Sequence, residues 1–270
     1  MGVEIFGLLA ETFVHVGAGQ SADAIDLPVM RERTTEYPFI PGSSMKGALR
    51  DAANGNGLDV DRLFGKQENA GALLIGDARL VLLPVRSLSS PYRWVSCPLL
   101  LERLDRDLRR AGRAGVAVPG VEEGKALAIE GGGDLYLEER QFEIASPPPD
   151  GLAAALASLV AHASARERLA RQLVILHDDD FAWFARYALP VHARNALDEE
   201  RKTTKPGALW YEEAMPPDTL LSLLVGERSE GAGASQVAGF LEERRYLQVG
   251  GNETVGQGWF AVQRLAGGPT

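Results

Sequence analysis

The period of the hydrophobic positions changes along the chain, and each change marks an element. Residues 4–16 alternate imperfectly, with Ile5, Leu8 and Ala10 on one parity and Phe13 and His15 on the other. That pattern predicts a strand packed on helices. Gly17 and Gly19 end it. The following loop is polar until Ile25, and Pro28 keeps Leu27 extended. Pro41-Gly42 signals a turn, with Ser43 as the expected N-cap. Met45, Ala48, Leu49 and Ala52 then recur at helical spacing, leaving Lys46 and Arg50 four apart on the polar side. The Asn-Gly-Asn-Gly run at 54–57 ends this helix.

Residues 71–85 read as one or two buried strands and 92–96 as another. Pro98 suits a first helical turn, and Leu100, Leu101, Leu104 and Leu108 form that helix's inward stripe. Glu102 with Arg106 and Asp105 with Arg109 form pairs on its outer face. A loop over 111–124 leads to two short strands, around 126–129 and 135–138, separated by Gly131, Gly132 and Gly133. Three prolines at 147–149 precede an Ala/Leu-rich helix expected over 152–168. A strand over 172–176 meets a helix opened by Asp178, Asp179 and Asp180, whose carboxylates suit its N-terminal dipole. Residues 190–210 are polar and charged with small apolar residues interleaved, which predicts an extended hairpin protruding from the body. A strand over 219–225 and a helix over 235–244, with Val237, Phe240 and Leu241 inward, follow. Leu247 and residues 259–265 flank a glycine-rich turn over 250–258. Mixed order without a strict βα rhythm argues for α+β with an antiparallel sheet.

Composition narrows the function. The 270 residues suit one large domain, and 45% hydrophobic with 24% charged content is that of a globular protein. No apolar run reaches membrane-spanning length, and the first residues lack a basic, cleavable leader pattern, so no membrane and a cytoplasmic location are expected. The single cysteine, Cys97, excludes an intramolecular disulfide and a cysteine-based zinc cluster. A net charge of −9 is unlike a free-standing nucleic-acid binder. The basic residues are locally gathered, however: Arg31, Arg33, Lys46 and Arg50 face only Glu32 and Glu36 across residues 31–50.

Residues 11–50 therefore join a backbone exposed by Gly17 and Gly19, a loop carboxylate at Asp26, and that group of cations. The mixture suits a polyanion with an acidic group beside it, and it reads as an RNA site. The blocks HVGAGQ, IDLPVMRER and PFIPGSSMKGALR open a longer series. FGKQENAGALLIGDARLVLLPVRS, YRWVSCPLLLERLDRDL, ALWYEEAMPP and LQVGGNETVGQGW continue it. In this order they resemble the RAMP superfamily of CRISPR interference complexes, and within it the backbone subunits of the type III-B effector, the Cmr complex.

The resemblance implies a single RAMP domain over 1–270 with a ferredoxin-like (RRM-like) core, an antiparallel sheet, insertions and a thumb hairpin at roughly 190–214. It implies a crRNA-binding subunit that cleaves guide-paired target RNA. Its partners would be crRNA, target RNA, other copies of itself in a helical backbone, and other Cmr subunits. A divalent metal ion, Mg or Mn, would serve cleavage, with no organic cofactor. Alternatives are an architectural RNA-binding RAMP subunit without its own cleavage, a type III-A-like backbone subunit, and a metal-independent RNase using His15.

Site residues carry over by position. A lone loop aspartate is most often solvated or part of an Asx-turn, but Asp26 occupies the IDLP block of the family's cleaving residue; Asp23 lacks that setting. Asp26 would act on a ribose 2′-OH as a base or by holding a divalent cation, leaving a 2′,3′-cyclic phosphate. His15 and Glu212 are candidate helpers; their plain readings are a backbone-satisfied strand-end histidine and a structural acid. The RNA-binding set is Gly17, Gly19, Arg31, Arg33, Ser43, Ser44, Lys46 and Arg50, with Gly250, Gly251, Asn252, Gly256 and Gly258. The alternative for the helical members is a cap with a solvated cationic face, and for the glycines a long hairpin turn. Arg194, Arg201, Lys202 and Lys205 belong to the thumb. His177-Asp178 lacks the further ligands of a metal phosphohydrolase and reads as a helix start.

Overall fold

Strand β1 (Val3–Ala10) is buried on both faces: Phe6, Leu8 and Ala10 enter one core, Ile5 and Leu9 the other. A short β2 (Phe39–Ile40) leads into α1 (Gly42–Ala53), α2 (Val60–Phe64) and a small hairpin, β3 (Gly65–Lys66) with β4 (Asn69–Ala70). Next come β5 (Leu73–Val85), β6 (Arg93–Ser96), α3 (Pro98–Arg110), β7 (Lys125–Ala128), β8 (Asp134–Leu137) and β9 (Arg140–Ser146). The second half contains α4 (Leu152–Ala157), α5 (Ala163–Gln172), β10 (Leu173–Leu176), α6 (Asp178–Tyr187), β11 (Val191–Leu197) and β12 (Thr204–Glu213). It closes with β13 (Leu220–Glu227), α7 (Ala234–Arg244), β14 (Tyr246–Gln248), a 3₁₀ turn at Glu253–Val255, and β15 (Trp259–Arg264). This computed structural model describes residues 2–129, 133–198, 200–229, 231 and 233–265. Gly131 and Gly132 of the expected triple-glycine turn lie outside them.

The result is α+β around one large, mostly antiparallel sheet, ordered β14-β15-β1-β13-β5-β6-β10-β7-β9-β8, with β2 on β5. Only β6 with β10 and β7 with β9 pair in parallel among the described strands. Met45 and Leu49 of α1 share a core with Val237 and Leu241 of α7, over Phe6, Leu223 and Phe260 of the sheet. The opposite face is covered by Leu101 and Leu104 of α3, Leu156 of α4 and Leu169 of α5, against Ile5, Leu9 and Leu220. β11 and β12 form a separate two-stranded sheet. Among the described residues no helix is long and apolar enough to cross a membrane.

Four expectations need correction. The strand stops at Ala10, and the chain then bends toward the hairpin, where Val14 exchanges backbone hydrogen bonds with Met215. β9 carries too mixed a pattern to be seen in sequence. Ser43 is not the cap of α1: the helix starts at Gly42, whose N–H donates to the Asp77 carboxylate at 2.7 Å. The helix expected over 152–168 is two helices, because residues 158–162 turn to lay backbone directly on β1. A Cβ at Gly7 would lie 1.8 Å from the Leu159 carbonyl oxygen. Gly7→Ala should therefore lower stability by about 1–3 kcal/mol, read from the urea midpoint at constant slope. Gly47→Ala, on an open helix face, is the control and should gain about 0.5–1 kcal/mol.

Cys97 is buried beside the Tyr37 hydroxyl, and burial pushes its thiol up, so it stays protonated. His177 caps α6, while Asp178 accepts the Leu99 N–H at 2.8 Å at the start of α3. Both members of that pair therefore serve helix ends.

Candidate nucleic-acid interface

Three segments meet at the base of the β11–β12 hairpin. Leu27 runs parallel to β12, donating to the Tyr211 carbonyl and accepting from the Glu213 N–H, both at 3.0 Å. Two residues on, Val29 changes partner and bridges Gly17. The glycine-rich loop closes on the same place: Gly251 N–H donates to the His15 carbonyl at 2.8 Å and Gly258 N–H to that of Phe13 at 2.9 Å. Gly250 has φ +95°, and a Cβ there would lie 2.5 Å from the His15 carbonyl oxygen. Its glycine is required by backbone approach within the protein itself.

Asp26 is half-buried where these segments join. Its Oδ2 accepts the Tyr211 N–H at 2.7 Å and its carbonyl accepts the Ser21 N–H at 2.9 Å. Oδ1 has no hydrogen-bond partner among the described residues. Asp23 is exposed and, among the described residues, bonds only within the loop, to Ser21. The arrangement leaves one carboxylate oxygen open on a fixed backbone, beside an exposed Tyr211.

The two candidate helpers are held by other groups. His15 is buried, and its Nδ1–H donates to the Glu213 carbonyl at 2.7 Å. That bond leaves Nε2 facing Gly17, where a Cβ would lie 2.8 Å away. The buried Glu212 carboxylate accepts Asn252 Nδ2 at 2.6 Å and pairs with Arg194 at 3.1 Å. It thus ties the glycine-rich loop to β11, and none of its bonds reaches Asp26. Among the described residues there is no group of three or more His, Cys, Asp or Glu placed to hold a metal ion.

The expected cations divide into two kinds. Arg31 turns inward, pairing with Glu213 at 2.6 Å and donating to the carbonyls of Ala185 at 2.6 Å and Glu36 at 2.8 Å. Arg50 pairs with Asp61 at 3.0 Å and donates to the Gly65 carbonyl. Arg33 and Lys46 are exposed, without an ion pair among the described residues, as are Arg201, Lys202 and Lys205 at the hairpin tip. Ser43 is exposed and Ser44 half-buried on the first turn of α1. Ser44 and Gly47 line a cleft of about 310 Å³ with Gly250 and Trp259, so α1 and the glycine-rich loop face each other. Asp51 and Glu253 line it as well. Gly19 and Gly256 both have positive φ in exposed turns.

Sequence reasoning missed Glu213. Its side chain is 4% exposed and bonds Arg31 and the Val29 N–H, the latter at 3.0 Å. No local pattern marks it, and only the three-dimensional meeting of residues 29, 31 and 213 gives it meaning.

The model of the RAMP superfamily matches residues 8–261. A protein of Pyrococcus furiosus, CRISPR system Cmr endoribonuclease Cmr4, is 31% identical over 97% of this chain and 95% of its own. The chain belongs to the RAMP superfamily, in its Cmr4 family. CRISPR system CMR subunit Cmr4 of Saccharolobus solfataricus is 25% identical, over 95% of this chain and 94% of its own. The crystal structure of oligomeric Cmr4 from Pyrococcus furiosus superposes with a TM-score of 0.75 at 29% identity, covering 98% of both chains. The likeness thus spans core, hairpin and glycine-rich loop together.

Proposed function

We propose that this chain is a crRNA-binding backbone subunit of a type III-B CRISPR complex and that it cleaves guide-paired target RNA. The observation that carries this reading is Asp26, fixed at the hairpin base with one carboxylate oxygen open, in a chain whose full-length Pyrococcus relative is named an endoribonuclease. The order β1-α1-β5-β13-α7-β15, with β15-β1-β13-β5 side by side and antiparallel, supports a ferredoxin-like (RRM-like) palm. The β11–β12 hairpin is its thumb. Partners are crRNA, target RNA, further copies of this chain and other Cmr subunits, in the cytoplasm.

In cleavage, Asp26 takes or steers the proton of the target's ribose 2′-OH as that oxygen bonds to the neighbouring phosphorus. The phosphorus–5′-oxygen bond breaks, and the departing oxygen gains a proton, leaving a 2′,3′-cyclic phosphate and a 5′-OH. One open carboxylate oxygen fits a hard cation that keeps most of its waters and takes the rest of its ligands from RNA, rather than a resident metal centre. Mg²⁺ or Mn²⁺ held by Asp26 would supply charge stabilisation at the phosphate. Complex assembled with a guide and given complementary RNA should cut it into fragments with these ends. Assembly and target binding without cuts would make the chain purely architectural.

Guide binding falls to the first turn of α1, the free cations and the glycine-rich loop. Lys46→Ala should weaken binding alike for all guide sequences and reduce the salt slope by about 0.7, one phosphate contact on a single strand. Arg50→Ala should change it less, since Asp61 already neutralises Arg50. Equal salt slopes for wild type and Lys46→Ala would mean that this helix face is only solvated.

A further inference from the structure

We infer that Glu213 and Arg31 are positioning residues that hold the extended segment 26–31, which carries Asp26, in register against the hairpin; this rests on the nuclease reading above. Three alternate residues of that segment are bonded by one glutamate. Leu27 accepts the Glu213 N–H at 3.0 Å. At Val29, where a continued parallel ladder would offer a backbone carbonyl, the Glu213 carboxylate takes the N–H instead, also at 3.0 Å. At Arg31 the other carboxylate oxygen receives the guanidinium at 2.6 Å.

Arg31 is itself anchored. Its bond to the Ala185 carbonyl sits at the end of α6, where a cation is favoured by the helix dipole, and its bond to the Glu36 carbonyl closes the following turn. Asp26 precedes Leu27 directly and is itself bonded to Tyr211. The carboxylate is therefore caught between residues 211 and 213 of one strand. The other side of the segment stays paired, Ala18 N–H with the Pro28 carbonyl at 3.0 Å and Met30 N–H with that of Val16 at 2.7 Å. Toward β12, once the Glu213 carboxylate is gone, only the backbone bonds at Leu27 and the Asp26–Tyr211 bond remain, and these can be exchanged for those of a neighbouring register. A slip of one residue moves the chain by about 3.3 Å and turns its side chains to the other face. Displacement of about 1 Å can already cost 10²-fold in rate. An ion pair serving folding alone would show a different pattern: weaker assembly and weaker target binding together.

The test uses the assembled complex under single-turnover conditions at saturating target, with guide and target affinity measured in parallel. Glu213→Ala should cut about 100-fold more slowly while target affinity stays within about threefold. Glu213→Gln keeps an acceptor for the Val29 N–H but gives Arg31 no charge partner, and should fall between the two. Arg31→Ala combined with Glu213→Ala should be no slower than the slower single variant, as expected of residues acting as a unit. Wild-type cutting by Glu213→Ala, or loss of target binding in step with cutting, overturns the inference.

Amide hydrogen exchange of the free chain gives a readout independent of catalysis. The Val29 amide should lose protection in Glu213→Ala, which removes its acceptor, while β1 and β13 keep theirs. Unchanged protection at Val29 overturns the register lock. Asp26→Asn separates the two proposals: if it cuts like wild type, the nuclease reading fails, and exchange alone decides the role of Glu213.

Discussion

Asp26→Asn should leave guide and target affinity within a factor of about two while cleavage falls about 10²–10⁴-fold, the loss typical of removing a general base. The structure makes this substitution unusually clean. The bond that fixes Asp26 runs from the Tyr211 N–H into Oδ2 at 2.7 Å, and the amide oxygen of asparagine can accept it as well. The Ser21 N–H bonds the residue's backbone carbonyl, which the change does not touch. What disappears is the negative charge that could accept a proton or hold a cation. Asp23→Asn is the matched control, because Asp23 is exposed and, among the described residues, bonded only to Ser21; it should cut at the wild-type rate. End-labelled target RNA in the assembled complex reads both. Joint loss of binding and cleavage would make Asp26 a structural loop residue. Undiminished cutting would hand the chemistry to His15 or to another chain.

Much of the scaffold around that carboxylate was legible because it is encoded locally. Pro98 and the leucines at 100, 101, 104 and 108 gave α3 with its buried face, and both expected outer pairs form. The run of acids at 178–180 gave the start of α6. What escaped was set by contacts between residues far apart in the chain. The break after Ala157 depends on Gly7, roughly 150 positions away, and no glycine or proline marks it. The α1 cap comes from Asp77 on β5 rather than from the adjacent serine. The same holds for charge. Arg31, Arg33, Lys46 and Arg50 look equivalent in sequence, but Glu213 and Asp61 neutralise the first and last. An overall charge of −9 is thus compatible with an RNA site whose free cations are few and placed on one loop, one helix face and one hairpin tip.

Removing the hairpin tip, residues 196–205, should leave the body folded and still able to bind guide RNA, yet abolish regular spacing of the cuts. The first half follows from packing. None of the described residues between 191 and 213 belongs to either hydrophobic cluster, and an isolated two-stranded sheet is marginal at best in water. The deletion also spares the part that holds Asp26. The pairs from Val191 with Glu213 to Asn195 with Leu209 remain, closed by Pro206-Gly207-Ala208 as a three-residue loop of a length that hairpins favour. The second half follows from what the tip carries. Arg201, Lys202 and Lys205 are exposed and unpaired among the described residues, and Leu197 is 51% exposed beyond the last retained pair. Cations around an apolar residue at the end of a two-stranded arm suit contact with phosphates and base faces on RNA held by a neighbouring copy. An arm that engages RNA once per subunit would set one interval between cuts, so its loss should scatter or suppress them while the thermal midpoint of the free chain stays unchanged. Cuts at the same positions in the deletion variant would mean that the hairpin is not the thumb, and that the spacing is set by the palm alone.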